Sequence, residues 1–228
     1  DARHLLIMPG FVNSHMHSYG LLSHGMPAPG APSDFYELLT DVWWPYVEDR
    51  LDKPMIEAAM ELSCYHMIRG GFTTFCDVLE APNAPSGILE VEARIVSRAG
   101  LRAVLMTEAS ERIDRARGEA LLEEDAAFIR DHREDPQIRG MLCTHTSFSC
   151  SAPFMEHARQ LQEDLTCDLH FHLSESVYEP TVCLERRGER PVMWYDRLGV
   201  LSDAVLVSQA VAVDDAEMDL LRRHGVRV

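Results

Sequence analysis

Long apolar runs are missing from this 228-residue chain. No window has the length and apolarity of a membrane span, and no secretory leader pattern opens it. A membrane protein is therefore not expected, and the cytoplasm is the expected compartment. Basic residues are scarce, 21 Lys and Arg against 37 Asp and Glu, for a formal net charge of −16. That balance argues against nucleic acid and anionic membranes as partners, because both demand positive charge. The six cysteines (Cys64, Cys76, Cys143, Cys150, Cys167 and Cys183) form no C-x-x-C pair and lie in or beside apolar segments. They read as reduced core thiols, not as a disulfide frame or a cysteine zinc site. No glycine-rich phosphate loop follows any strand signal, which weakens a nucleotide-binding reading. Low-complexity segments and long linkers are also absent. What is present, 46% hydrophobic and 25% charged residues, is enough for one substantial core.

The most informative positive feature is a histidine pair closing an apolar run: Ile7-Met8-Pro9-Gly10-Phe11-Val12-Asn13-Ser14-His15-Met16-His17. On a strand, residues i and i+2 share a face, so both imidazoles leave side by side where the strand meets its loop. Two converging neutral imidazoles suit a divalent transition metal, zinc most commonly. An isolated H-x-H is more often a pair of half-buried strand-end histidines, but a second cluster shifts the balance. In Asp168-Leu169-His170-Phe171-His172-Leu173-Ser174-Glu175, an alternating stretch again reads as a strand. His172 leaves its C-terminal end, with Glu175 three residues on in the loop. A metal there lowers the pKa of a bound water to about 7. A nearby carboxylate then moves protons between that water and a leaving group. His170 reads as a core histidine. His4, His24, His66, His132, His157 and His224 lack strand-end context and read as solvated or core residues.

Strand and helix signals alternate along the chain. Strands are expected at Gly10–His15, Thr73–Val78, Arg102–Thr107, Arg139–Thr144, Leu169–His172 and Ala204–Ser208, with a start at Val226. Helical patterns run from Pro54 to Arg69, Gly87 to Ala99, Arg115 to Asp131, Pro153 to Leu165, Pro191 to Leu198 and Asp215 to His224. Gly199 and Gly225 stand where left-handed caps are expected. Such repetition implies an α/β fold with a parallel sheet. Metal-ligand candidates at the C-terminal ends of two strands fit a (β/α)8 TIM-type barrel, whose sites gather on that face. An open doubly wound sheet is the alternative. About six to seven βα units fit in this length, whereas a complete barrel takes about 250 residues. The barrel is therefore expected to be incomplete at the C-terminus.

At these residues the chain resembles the amidohydrolase superfamily. The resemblance rests on Pro-Gly-Phe-Val-Asn-Ser-His-Met-His at 9–17, Gly-Phe-Thr-Thr-Phe-Cys-Asp at 71–77, Thr-His-Thr-Ser-Phe-Ser-Cys-Ser at 144–151 and His-Leu-Ser-Glu-Ser at 172–176. The branch it looks most like contains guanine and S-adenosylhomocysteine deaminases, triazine chlorohydrolases and the SsnA-like aminohydrolases, the last through Asp34-Phe35, Leu38-Leu39 and Trp43-Trp44. The resemblance implies a metal-dependent hydrolase of non-peptide C–N bonds, a hydrolytic deaminase of a purine-, pyrimidine-, pterin- or triazine-like ring working through metal-activated hydroxide. It assigns His15, His17 and His172 as ligands of one divalent metal, zinc or alternatively iron or manganese. Glu175 is the proton shuttle. His145, Phe148 and Trp43 face the substrate, although position alone equally allows a backbone-bonded His145 and an ordinary packing role for Phe148. Adjacent residues on a helix diverge, so one of Trp43 and Trp44 packs inward while the other lines the pocket. Asp77 reads as a structural carboxylate, and Glu119 to Glu124 as a solvated helix face.

The same resemblance exposes departures. Residues 1–8 correspond to a link from a flanking β-sandwich that is otherwise largely absent, and 9–228 to the barrel. The last barrel strand and the family's aspartate are expected to lie outside these residues, as in a fragment or part of a longer protein. Gln209, in Val205-Leu206-Val207-Ser208-Gln209-Ala210, stands where the family has histidine. Glutamine forms hydrogen bonds but takes up no proton at neutral pH. A catalytically impaired or non-enzymatic relative is thus the alternative to an active enzyme. A further rival is an α/β domain whose histidines are incidental, which requires them to lie far apart. Relatives of this kind often assemble, so a homo-oligomer is a further expectation.

Overall fold

The computed structural model describes residues 3–27, 30–84 and 86–228. Its strands are β1 (Phe11–Met16), β2 (Phe72–Leu79), β3 (Arg102–Thr107), β4 (Ile138–Gly140), β5 (Leu142–Thr144), β6 (Leu169–Leu173) and β7 (Val205–Gln209). Every strand pairing is parallel, in the orders β1-β2-β3-β4 and β5-β6-β7. The strand expected at Arg139–Thr144 is split at Met141. Its first half pairs with β3 through Leu105↔Gly140, and its second half pairs with β6 through Leu142↔Leu169. Hydrogen bonding nevertheless continues across the break, from Ala109 N–H to the Cys143 carbonyl at 3.2 Å and from His145 N–H to the Ala109 carbonyl at 3.1 Å. The buried Asp125 carboxylate fastens this seam, accepting from the Thr107 and Cys143 amides at 2.7 and 3.1 Å.

Helices alternate with the strands at Lys53–Gly70, Leu89–Ala99, Arg115–Asp131, Ala152–Leu165, Tyr178–Arg187, Pro191–Arg197 and Asp215–His224. Their boundaries follow local chemistry. Asp52, Asp114, Ser151 and Asp214 each accept a first-turn amide, and Asp214 forms a reciprocal capping box with Glu217. Gly71 and Gly225 close their helices at φ 77° and 71°, a conformation that side chains with a Cβ resist. Tyr178–Arg187 was not among the expected helices. Pro180 and the run Glu185-Arg186-Arg187 hide its periodicity, yet a proline fits a helix's first turn, where no intrahelical amide bond is lost.

Apolar residues pack on both faces of the strands. Two large clusters fill the helix–sheet interface, centred on Leu79, Ile88 and Leu105, and on Phe154, Phe171 and Tyr195. A third, Cys76, Val78, Met106, Met141 and Cys143, occupies alternate positions on the opposite face. All six cysteines are free thiols. The strand start expected at Val226 is realised as a single bridge, Arg227 pairing beside β7 through 2.8 and 3.0 Å bonds to Val207 and Val205. Within the expected link 1–8, residues 5–8 carry no helix or strand, and Asp1 and Ala2 lie outside the described residues. Among the described residues no helix is long and apolar enough to cross a membrane.

Candidate metal centre and active site

Histidine side chains from β1 and its outgoing end meet those of β6. His15 and His17, two positions apart on the outgoing end of β1, and His172 on β6 bring ligand atoms within 4.8 Å of one another. Nε2 of His17 is 3.3 Å from Nε2 of His172. The His17 Nδ1–H donates to the Val78 carbonyl at 2.9 Å, which leaves Nε2 with its lone pair. His172 Nδ1 makes no hydrogen bond, so the facing His172 Nε2 either donates to this lone pair or shares a cation with it. Zinc–nitrogen bonds of about 2.0–2.1 Å at tetrahedral angles place neighbouring ligand atoms about 3.3–3.4 Å apart. The observed spacing is that edge, so the residues present fit a tetrahedral divalent metal.

The electrostatics agree. Burial, and then repulsion from His172, hold His15 down at about 4 and His17 at about 3. Burial also lowers His172, against the pull of Glu175 and Glu80. All three imidazoles are therefore neutral at pH 7, the form that ligates. The surroundings hold them in place. Ser18, next to His17, is bound to the buried Asp77 carboxylate through its amide at 2.7 Å and its hydroxyl at 2.8 Å. Behind His172, Glu108 Oε1 lies 2.6 Å from Nδ1, in close contact but without hydrogen-bond geometry. His170 faces inward below the triad, with Nδ1 bonded to the Leu206 carbonyl at 2.9 Å.

A cavity of about 240 Å³ opens beside the triad. Glu175 lines it together with His17 and His172, its carboxyl raised above the usual range by burial. His145 lines it too, with Nδ1 on the Ser149 hydroxyl at 2.6 Å and Nε2 turned towards Glu108 at 3.9 Å. Trp43, Phe35, Leu38 and Leu39, from the helical segment 35–46 after β1, form its apolar wall. The two tryptophans do diverge. Trp44 stacks under the Arg112 guanidinium at 5.0 Å and lines a neighbouring cavity with Tyr36 and Phe148. Phe148 is therefore placed in that second cavity, edge-on to His145 at 5.4 Å between ring centres. Gln209 reaches the triad from β7, its amide nitrogen 3.4 Å from His15 Nε2 and its buried Oε1 without a hydrogen bond. Its backbone is left-handed at φ 67°, followed by Ala210 at 48°. Two consecutive non-glycine residues in that region are costly, and such strain collects at functional sites.

Sequence reasoning missed the polar floor of the cavity. Glu48, Glu80 and Glu108 line it, each 2% exposed or less. Arg112 ion-pairs with Glu48 at 3.2 Å, Asp49 at 2.8 Å and Glu80. Burial alone would raise Glu80, but Arg112 and His145 outweigh it and bring the carboxyl to about 2. Glu80, Glu108 and His145 also have ligand atoms within 4.8 Å of each other. The guanidinium already supplies positive charge there, so the group reads as a charge network and not as a second metal centre. A signal existed: Glu80 and Glu108 each follow directly on the last residue of a strand, at the barrel end where functional groups gather.

Comparison with known proteins agrees with this geometry. The chain is 32% identical over 230 residues to the 5-methylthioadenosine/S-adenosylhomocysteine deaminase 2 of Archaeoglobus fulgidus, covering 100% of this chain and 52% of that one. It thus spans about half the length of the curated relatives it matches. Among solved structures, an adenosine deaminase from Xanthomonas campestris with bound zinc superposes with a TM-score of 0.81 at 22% identity, over 96% of this chain and 48% of that one. A guanine deaminase from C. acetobutylicum with guanine in its active site gives 0.79 at 16% identity, over 96% and 53%. These likenesses establish the α/β barrel fold. Residues 6–228 match the Amidohydrolase family, and the chain belongs to it.

Proposed function

We propose that these residues form the metal-binding part of a hydrolytic deaminase acting on a nitrogen heterocycle. The 3.3 Å approach of His17 Nε2 to His172 Nε2 carries the reading, because it matches the edge of a tetrahedral zinc site. His15, His17 and His172 would hold one divalent ion, zinc in this proposal, which would supply Lewis acidity to acidify the attacking water. Glu175 carries the proton from the attacking water to the ring nitrogen, a task suited to a carboxyl whose pKa burial has raised. His145 offers Nε2 to the far side of the ring, since its Nδ1 is committed to Ser149. Trp43 and Leu39 cover the ring and exclude bulk water. A cavity of about 240 Å³ suits a substituted ring and no polymer. The deaminases named above act on adenine- and guanine-type rings, which supports that substrate class.

The test is ammonia release by the zinc-loaded full-length protein across aminated purines, adenine nucleosides, pterins and triazines. Ammonia in equal amount to a deaminated product, lost with a chelator and in His17→Ala, is the expected result. A protein that holds stoichiometric metal and releases no ammonia from any of them overturns the deaminase reading. Gln209 favours a second reading, a metal-binding relative with weakened turnover, because the amide cannot take the proton that histidine takes. That reading expects ring ligands to bind without being converted.

A further inference from the structure

Glu179 is a buried carboxylate with no place in the chemistry above. It is 2% exposed and stands in the first turn of the helix Tyr178–Arg187. One oxygen accepts from the Ser147 amide at 2.9 Å and the Ser147 hydroxyl at 2.6 Å. The other accepts from the Ser174 amide at 2.5 Å. Ser147 belongs to the loop after β5, between His145 and Phe148. Ser174 belongs to the loop after β6, between His172 and Glu175. A single carboxylate therefore joins the two loops that carry the proposed proton carrier and the proposed substrate contact.

The surrounding bonds make this junction a clamp. Two turns further along the same helix, Arg187 donates to the Ser147 and Cys150 carbonyls, and its guanidinium lies 4.0 Å over the Trp194 ring. The helix thus grips Ser147 by both its amide and its carbonyl. Ser174 is held on both sides as well, its carbonyl accepting from the Ala212 amide at 2.9 Å. Its backbone is left-handed at φ 46°, which a serine adopts only when neighbours enforce it. That turn redirects the chain immediately after His172, so that Glu175 lines the cavity and does not continue the strand. From Leu173 and Ser174 the bonding passes to the strained β7 loop, where the Ala210 amide donates to the Leu173 carbonyl at 2.8 Å.

We propose that Glu179 is a positioning residue, fixing Glu175 and His145 relative to each other by tying the β5 and β6 loops through Ser147 and Ser174. The inference rests on the deaminase reading for its kinetic consequence and on geometry alone for the clamp. Its test compares Glu179→Ala and Glu179→Gln with the parent in the zinc-loaded full-length protein. Glutamine keeps one acceptor oxygen and so can serve one loop only, which predicts a graded series. For Glu179→Ala the expected result is a fall in kcat of about 100-fold with KM within threefold and metal content unchanged; Glu179→Gln recovers part of the rate. Amide exchange at Ser147 and Ser174 speeds up at least 100-fold in Glu179→Ala, while the amides of β6 keep their protection. Unchanged exchange at those two amides overturns the clamp. A rate loss that follows lost metal or lost β6 protection overturns the positioning role in favour of a merely structural one. If the parent releases no ammonia, the deaminase reading fails, and amide exchange alone still decides whether the clamp exists.

Discussion

Glu108 Oε1 stands 2.6 Å behind His172 Nδ1, on the side of the ring away from the other two imidazoles. Burial, and then the neighbouring Glu80, push that carboxyl well above the usual range, and its contact with the ring restricts how His172 can turn. Glu108→Gln replaces the acid at nearly constant volume. We expect metal affinity to fall by about 10- to 100-fold, as is usual for such partners. Competition against a chelator of known affinity measures it. Unchanged affinity would assign Glu108 wholly to the Arg112 network.

Removal of a ligand is expected to act more sharply. His17→Ala or His172→Ala should reduce bound zinc from one equivalent towards none, read by elemental analysis after dialysis. His170→Ala is the control, because its Nδ1 is committed to the Leu206 carbonyl and its Nε2 faces the Ser208 hydroxyl at 3.5 Å. That variant should keep the metal and lose stability instead, since it empties the space of an imidazole that is 1% exposed.

Much of this site was legible from spacing. The i, i+2 histidines and the strand-end His172 needed only strand geometry, and β3 and the helix Arg115–Asp131 lie where periodicity places them. The floor of Glu48, Glu80 and Glu108 was not legible, because a glutamate beyond a strand end is ordinarily solvated. Its burial depends on Arg112, which arrives from a different loop. The break at Met141 was equally hidden: each half of that run is a good strand, and only the partners on either side distinguish them. Phe148 faces the second cavity for a similar reason, since the turn after His145 is set by Glu179 and Arg187 from a helix whose periodicity was masked.

The depressed histidines fix the sign of the pH dependence of the metal-free protein. Folded pKa values of about 4 for His15 and about 3 for His17 lie below the unfolded value of 6.5. Between those limits the unfolded chain binds more protons, so acid favours unfolding. The stability that these neutral imidazoles confer is present above pH 6.5 and is lost as pH falls towards 4. Each costs on the order of 3 kcal/mol by pH 4 relative to pH 7, not additively, because the rings repel one another. Urea midpoints of the apoprotein should therefore drop steeply from pH 7 to pH 4. Zinc should raise the midpoints by an amount that does not vary with pH above pH 6, since ligands without protons release none on binding. A midpoint constant from pH 7 to pH 4 would contradict the burial of the triad.

Gln209 and Glu175 flank the triad from different strands, and their chemistry predicts unequal consequences. Glutamine can orient a water but cannot accept its proton, so the proposed reaction leans more heavily on Glu175. Glu175→Gln should lower kcat by about 10²- to 10⁴-fold with metal retained. Gln209→Ala loses only an orienting contact and should cost less than about tenfold, the rate equivalent of roughly 1.4 kcal/mol. Gln209→Gly removes the same amide and also relieves the φ 67° backbone. It should therefore match the alanine variant in rate while exceeding it in stability by about 1 kcal/mol. Rate and stability measured on the two variants separate the side chain's contribution from that of the backbone. If Gln209→Ala proves as damaging as Glu175→Gln, the amide holds the reacting groups more directly than its 3.4 Å contact with His15 implies.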